Sequence, residues 1–206
     1  DEALAARRLR PSGRFGAYLA ALAGIHYSIA GDDERALALY DRAETTGFFT
    51  NQTRYHRAVI LYRAGRLEDA LLQAHRASLD VDETPALLLL SGNALAARED
   101  WFAAQAAYSR LVSRLSFELD RLPLLLPQER PAQGELVELI MRATNNLGVA
   151  WWRLAGRTGD ASLRSKAMAS FAESMRYFDS LERDQATMIK PAVKNLAFLN
   201  LDFVLR

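Results

Sequence analysis

Cysteine is missing from the 206-residue chain altogether. Its absence excludes disulfides, thiolate metal sites and a cysteine nucleophile, and leaves both the cytoplasm and the bacterial periplasm open as compartments. A charge of one sign is missing too: 26 Lys and Arg are interspersed with 25 Asp and Glu, for a formal net charge of +1. No basic footprint of the kind a phosphate backbone or an anionic membrane requires is present, so nucleic acid is not an expected partner. Long apolar runs are also lacking. The best candidates, "ALLLLSG" and "LPLLLP", fall far short of a membrane span, and no membrane insertion is expected. The chain starts at Asp1 without a Met or a signal peptide, which reads as a fragment of a longer protein or a processed product.

Catalytic material is equally thin. His26, His56 and His75 fall on different helical stretches, with no second His and no Cys to complete a metal site. The acidic pairs Asp32-Asp33 and Asp82-Glu83 sit at turns, where capping and solvation outrank acid–base work. "GRTGDAS" has the glycines of a phosphate loop but neither the GK[ST] ending nor a preceding strand. The reading is therefore of a non-enzyme, with no catalytic residue, no metal and no cofactor.

What is present is helix. Leu19, Leu22, Ala23 and Tyr27, then Ala36, Leu37, Tyr40 and Ala43, follow a 3.6-residue stripe, Ala, Leu and Arg dominate the interiors, and no stretch alternates as a strand would. The helices also repeat. Gly31 and Gly65 are 34 residues apart, as are Gly24, Ala58 and Gly92, and Ala36, Ala70 and Ala104; Ala43, Ala77 and Leu111 continue the register. Columns sharing one period predict a stack of short helical hairpins, with small residues where two helix axes approach.

These columns resemble the tetratricopeptide (TPR) repeat, a 34-residue helix-turn-helix unit. Its Leu-Gly pair and following Tyr have counterparts in Ala23-Gly24 and Tyr27, and its Ala-x-x-x-Phe in Ala36 and Tyr40 or Ala104 and Tyr108. The early Trp is replaced by Ala20, Arg54 and Leu88, and the late Pro by Phe48, Asp82 and Ser116, so the copies are degenerate. The resemblance implies an all-α, right-handed α-solenoid, divided as a preceding second helix or cap at 1–10 and repeats at 17–50, 51–84 and 85–121. A Pro-rich insertion follows at 122–134, then an elongated fourth repeat at 135–184 and a capping helix at 190–205. The fourth unit carries Leu147-Gly148, Trp151, Ala167, Phe171 and Ser174, but its frame is seven residues too long, and "GRTGDAS" reads as a lengthened hairpin loop. Pro123, Pro127 and Pro131 exclude helix from the insertion, whose Leu124, Leu125 and Leu126 should dock on the solenoid or on a partner.

The same resemblance implies a function, protein–protein interaction, and a place for it, a concave face lined by the first helix of each unit. The positions carried over there are Tyr18, Tyr55, His56, Tyr62, Arg63, Asn93, Arg142, Asn145, Trp152, Arg153 and Lys194, with aromatics and arginines as the anchors. The structural columns are Gly24, Ala36, Ala58, Ala70, Gly92, Ala104, Gly148 and Ala167. Asn93, Asn146 and Asn195 are similar to the asparagines with which chaperone-binding members hold a terminal carboxylate, but Ala21 and Ala86 stand where the accompanying lysines belong. The expected partner is a peptide, helix or protein domain, and a homo-oligomer is possible. Two alternatives stay open: an assembly component of a bacterial envelope, secretion or motility complex, binding through caps, convex face or insertion; and a regulatory helical domain of a larger enzyme. Apolar residues exposed on the ends would favour assembly, and a polar-rimmed groove would favour peptide binding.

Overall fold

A computed structural model of the chain describes residues 13–45, 51–78, 84–124, 133–179 and 191–205. The cap expected at 1–10 and the insertion's Leu125 and Leu126 lie outside the described residues. Among those described there is helix and no strand: α1 Arg14–Ala30, α2 Asp33–Thr45, α3 Asn51–Arg63, α4 Leu67–Ser78, α5 Pro85–Ala97, α6 Trp101–Arg121, α7 Gln133–Thr158, α8 Ala161–Asp179 and α9 Pro191–Leu205, with a 3-10 turn at Leu122–Leu124. The all-α class read from the sequence is what the chain adopts. Two compact units divide it, Asp1–Leu90 and Ser91–Arg206.

In the first unit α1 packs on α2 and α3 on α4, with α3 also against α1 and α2. The glycine column makes the turns. Gly31 takes a left-handed φ of 83° and donates to Ser28 O, while Asp32 N donates to Tyr27 O at 2.9 Å. Gly65, with φ 74°, repeats the pattern: its N–H donates to Tyr62 O, and that of Arg66 to Leu61 O. Only glycine takes this conformation without strain, which is why the column exists. Asp32 then caps α2 by accepting from Arg35 N at 3.2 Å. Ala77 meets the following helix, clustering with Leu87 and Leu90, and Ala43 packs with Ala20 and Ala21 of its own hairpin.

In the second unit α6 packs on α7, α7 on α8, and α9 on both α7 and α8. Val137, Ile140, Met141, Ala143 and Leu154 of α7 are buried with Ala167 and Phe171 of α8, and Ser174 Oγ donates to Met141 O at 2.9 Å across the hairpin. The seven extra residues are not a longer loop, and here the structure corrects the sequence reading. The α7–α8 turn is Gly159-Asp160, the same dipeptide as Gly31-Asp32, with Gly159 left-handed at φ 73° and Asp160 accepting from Ser162 N. Compared with the first hairpin, α7 runs four residues further past Gly148 than α1 runs past Gly24, and α8 starts three residues earlier before Ala167 than α2 does before Ala36. Seven residues are close to two helical turns, so adding one turn to each antiparallel helix of the hairpin keeps the packed columns level. An insertion of another length would rotate one face away from the other.

The small-residue column faces an aromatic more than an alanine. A Cβ added to Gly24 would lie 2.6 Å from Tyr40 Cε1, one at Gly92 2.5 Å from Tyr108 Cε1, and one at Gly148 2.6 Å from Phe171 Cε1. In the second hairpin both members change together: Ala58 stands in the glycine column, Ala74 in the aromatic column, and the two share one buried cluster. Volume lost on one helix is restored on the other, as close packing requires.

Candidate functional site

The sequence-derived site residues separate by what they touch. Tyr55 and Tyr62 are partly buried against Ala58, Ala74, Ala77, Leu87 and Leu90. His56 sits edge-on to Tyr55, with ring centroids 5.5 Å apart. Burial pushes the Tyr55 hydroxyl above its usual pKa and holds His56 below its own, helped by the Arg63 charge. Arg63 is committed within the fold, donating to Asp33 and to Ser28 O. Arg142 is likewise paired with Glu138 one turn away. Tyr18 lies on the outer face of α1, and the side chain of Lys194 lies outside the described residues.

The asparagines are joined to one another. Asn93 Oδ1 accepts from Tyr108 Oη at 2.8 Å and from Asn146 Nδ2 at 3.0 Å; Asn145, which is buried, accepts from Asn200 Nδ2 at 2.9 Å. These bonds tie α5 to α6 and α7, and α7 to α9, at neighbouring levels. They satisfy the buried Asn145 amide and engage the partly buried Asn93, so both bond to the fold itself.

Trp152 and Arg153 do come together, in a cleft of about 310 Å³ lined by Glu99, Trp101, Trp152, Arg153, Gly156 and Arg157. The extra turn of α7, residues 155–158, builds one rim of it, and the α5–α6 turn builds the other. That turn is a glycine-type turn without glycine: Glu99 occupies the column of Gly31 and Gly65 and takes a left-handed φ of 59°. Arg157 clamps it, donating to Glu99 O at 2.9 Å and to its carboxylate at 2.6 Å. Arg153 lies over the Trp101 ring, 5.6 Å from its centroid. The tandem tryptophans part ways. Trp151 lies beneath Lys166 Nζ at 4.9 Å, and Trp152 meets Phe203 of α9 edge-on at 5.9 Å. Sequence reasoning did not reach Trp101, Glu99 or Arg157, although the 34-residue spacing from Gly65 already marked Glu99 as an anomaly.

A second surface lies on α1. Its buried side is mostly small, Ala17, Ala20, Ala21, Gly24 and Ser28 with Ile25 the one large residue among them, while Phe15, Tyr18, Leu19, Leu22 and Ile29 share the opposite side, Phe15 64% and Ile29 74% exposed. On α9, Leu196, Leu199 and Phe203 are exposed along a single stripe.

Among the described residues no group of His, Cys, Asp or Glu could hold a metal ion, and no helix is long and apolar enough to cross a membrane. The chain matches no family profile, no curated protein and no solved structure.

Proposed function

We propose that this protein is a TPR-like helical-repeat scaffold, a right-handed α-solenoid in its repeat organisation, whose function is to bind another protein. The 34-residue columns, the Gly-Asp turns and the recurrent glycine–aromatic contact between paired helices support the repeat reading. The observation that carries the binding reading is the cleft: two tryptophans and an arginine lying over one of them line a polar-rimmed recess, and these are the side chains that most often anchor interfaces. A peptide or a loop of a partner domain is the occupant its size suits.

A second reading, a component of a larger assembly, is favoured by one specific observation. The apolar faces of α1 and α9 are of the kind that other proteins cover. One experiment separates the two readings. Affinity capture from the native cell is run with the wild-type chain, with Trp152→Ala, and with Phe15→Ser combined with Ile29→Ser. Partners lost only with Trp152→Ala support the cleft, and partners lost only with the α1 variant support assembly. If all three baits return the same proteins, binding through either surface is refuted.

A further inference from the structure

The cleft has a chemical bias that its general role in binding does not require. Of its two arginines, Arg157 is paired with the Glu99 carboxylate and also donates to the Glu99 backbone carbonyl. Arg153 is exposed and has neither an ion pair nor a hydrogen bond among the described residues; its charge lies over the Trp101 ring. That cation–π contact sets the guanidinium beside the ring and limits where the exposed side chain can go. A guanidinium so held loses little freedom on meeting a carboxylate and presents its donors as a fork. Glu99 cannot supply the anion, since Arg157 holds its side chain and its strained turn holds its backbone.

Other ligand classes fit less well. A polyanion needs several unpaired cations, and the cleft offers Arg153 alone. A cationic ligand would seek a tryptophan face, but the Trp101 face carries Arg153 already, and a cation on Trp152 would share the recess with the uncompensated Arg153 charge. A purely apolar ligand would strip water from Arg153 without pairing it. Trp152 forms the other wall, half-buried and buttressed by Phe203, and at Gly156 a Cβ would meet nothing within 4 Å, so one side of the recess stands open. The walls thus present an apolar surface beside a pre-oriented, uncompensated cation.

Resting on the protein-binding reading above, we propose that the cleft holds a partner segment in which an Asp or Glu stands beside a large apolar residue. The carboxylate pairs with Arg153 and the apolar side chain lies on Trp152. The test is selection of a random-peptide library on the full chain, with the peptides displayed inside a carrier loop so that no free terminal carboxylate is offered. Selected clones are then measured as loops against wild type, Arg153→Gln, Arg153→Lys and Trp152→Ala, with circular dichroism confirming that each variant is folded. Enrichment of an acidic–apolar pair is expected, with affinity falling about tenfold or more in Arg153→Gln, only partly restored by Arg153→Lys, and weakening as salt rises from about 50 to about 500 mM. Clones that lose binding with Trp152→Ala yet carry no acid, or ignore Arg153→Gln, overturn the acidic class and leave the cleft as a protein site. Clones indifferent to Trp152→Ala, or no enrichment at all, overturn the cleft itself.

Discussion

Replacing Gly148 by Ala should harm the wild-type protein and help one from which Phe171 has been cut back. In the native hairpin the new methyl would sit 2.6 Å from Phe171 Cε1, where ordinary contact begins at 3.4 Å. The ring must therefore retreat by the better part of an ångström. Phe171 is only 2% exposed, so it has nowhere to go without displacing its neighbours. Overpacking of this kind costs about 1–3 kcal/mol. Alanine's better helix propensity returns about 1 kcal/mol in the middle of α7, leaving a net loss of up to about 2 kcal/mol. Phe171→Ala alone leaves a cavity and should cost about 3–5 kcal/mol. In that background the clash is gone, the propensity gain remains, and the methyl occupies part of the void. The double variant should then be about 1 kcal/mol more stable than Phe171→Ala, which is the Ala–Ala arrangement the second hairpin already uses at Ala58 and Ala74. The three tryptophans, Trp101, Trp151 and Trp152, all lie in the second unit, so urea unfolding followed by tryptophan fluorescence reports on the unit that carries the changes. The decisive quantity is the sign of the Gly148→Ala effect in the two backgrounds. Equal effects, within about 0.5 kcal/mol, would show that glycine and ring do not meet, and the packing argument would fail.

Two further predictions rest on single residues. The folded pKa of His56 is held below the ordinary 6.5, first by burial and then by Arg63, so below about that pH the unfolded chain binds the extra proton and stability declines as pH falls, by at most about 1.4 kcal/mol per pH unit; His56→Gln should flatten the difference between urea midpoints measured near pH 7.5 and near pH 5. Glu99→Gly removes a left-handed non-glycine residue at a strain of about 1 kcal/mol and loses an exposed ion pair worth less, so it should raise the melting temperature by a few degrees in calorimetry, and it should strengthen acidic-loop binding by releasing Arg157.

Much of the scaffold was written in one dimension. The periodic stripes gave the helices, Gly31 and Gly65 their turns, and Asp32 a cap. The fourth hairpin shows the limit. Seven extra residues rich in glycine read as loop, yet Gly156, Arg157 and Thr158 prolong α7 and Ala161, Ser162 and Leu163 begin α8. Packing of the long α7 face against α8 outweighs the small penalty of a glycine near a helix end. Carrying first-helix positions over from the repeat pattern marked Trp152 and Arg153, and it also marked Arg63, Arg142 and Asn145, which bond within the fold.

The sequence alone determined the period, the helix content, the left-handed turns at Gly31 and Gly65, and the absence of cysteine and of any strong charge. Each is a property of neighbours along the chain or of spacing on a single helix. Tertiary structure decided which side chain covers each glycine, which polar groups are spent on one another, and that Trp101, Arg153 and Trp152 share one recess. Those outcomes depend on the axial shift between paired helices. A whole extra turn on both helices of a hairpin preserves that shift, brings Arg157 onto Glu99 and leaves Arg153 on Trp101 without an anion.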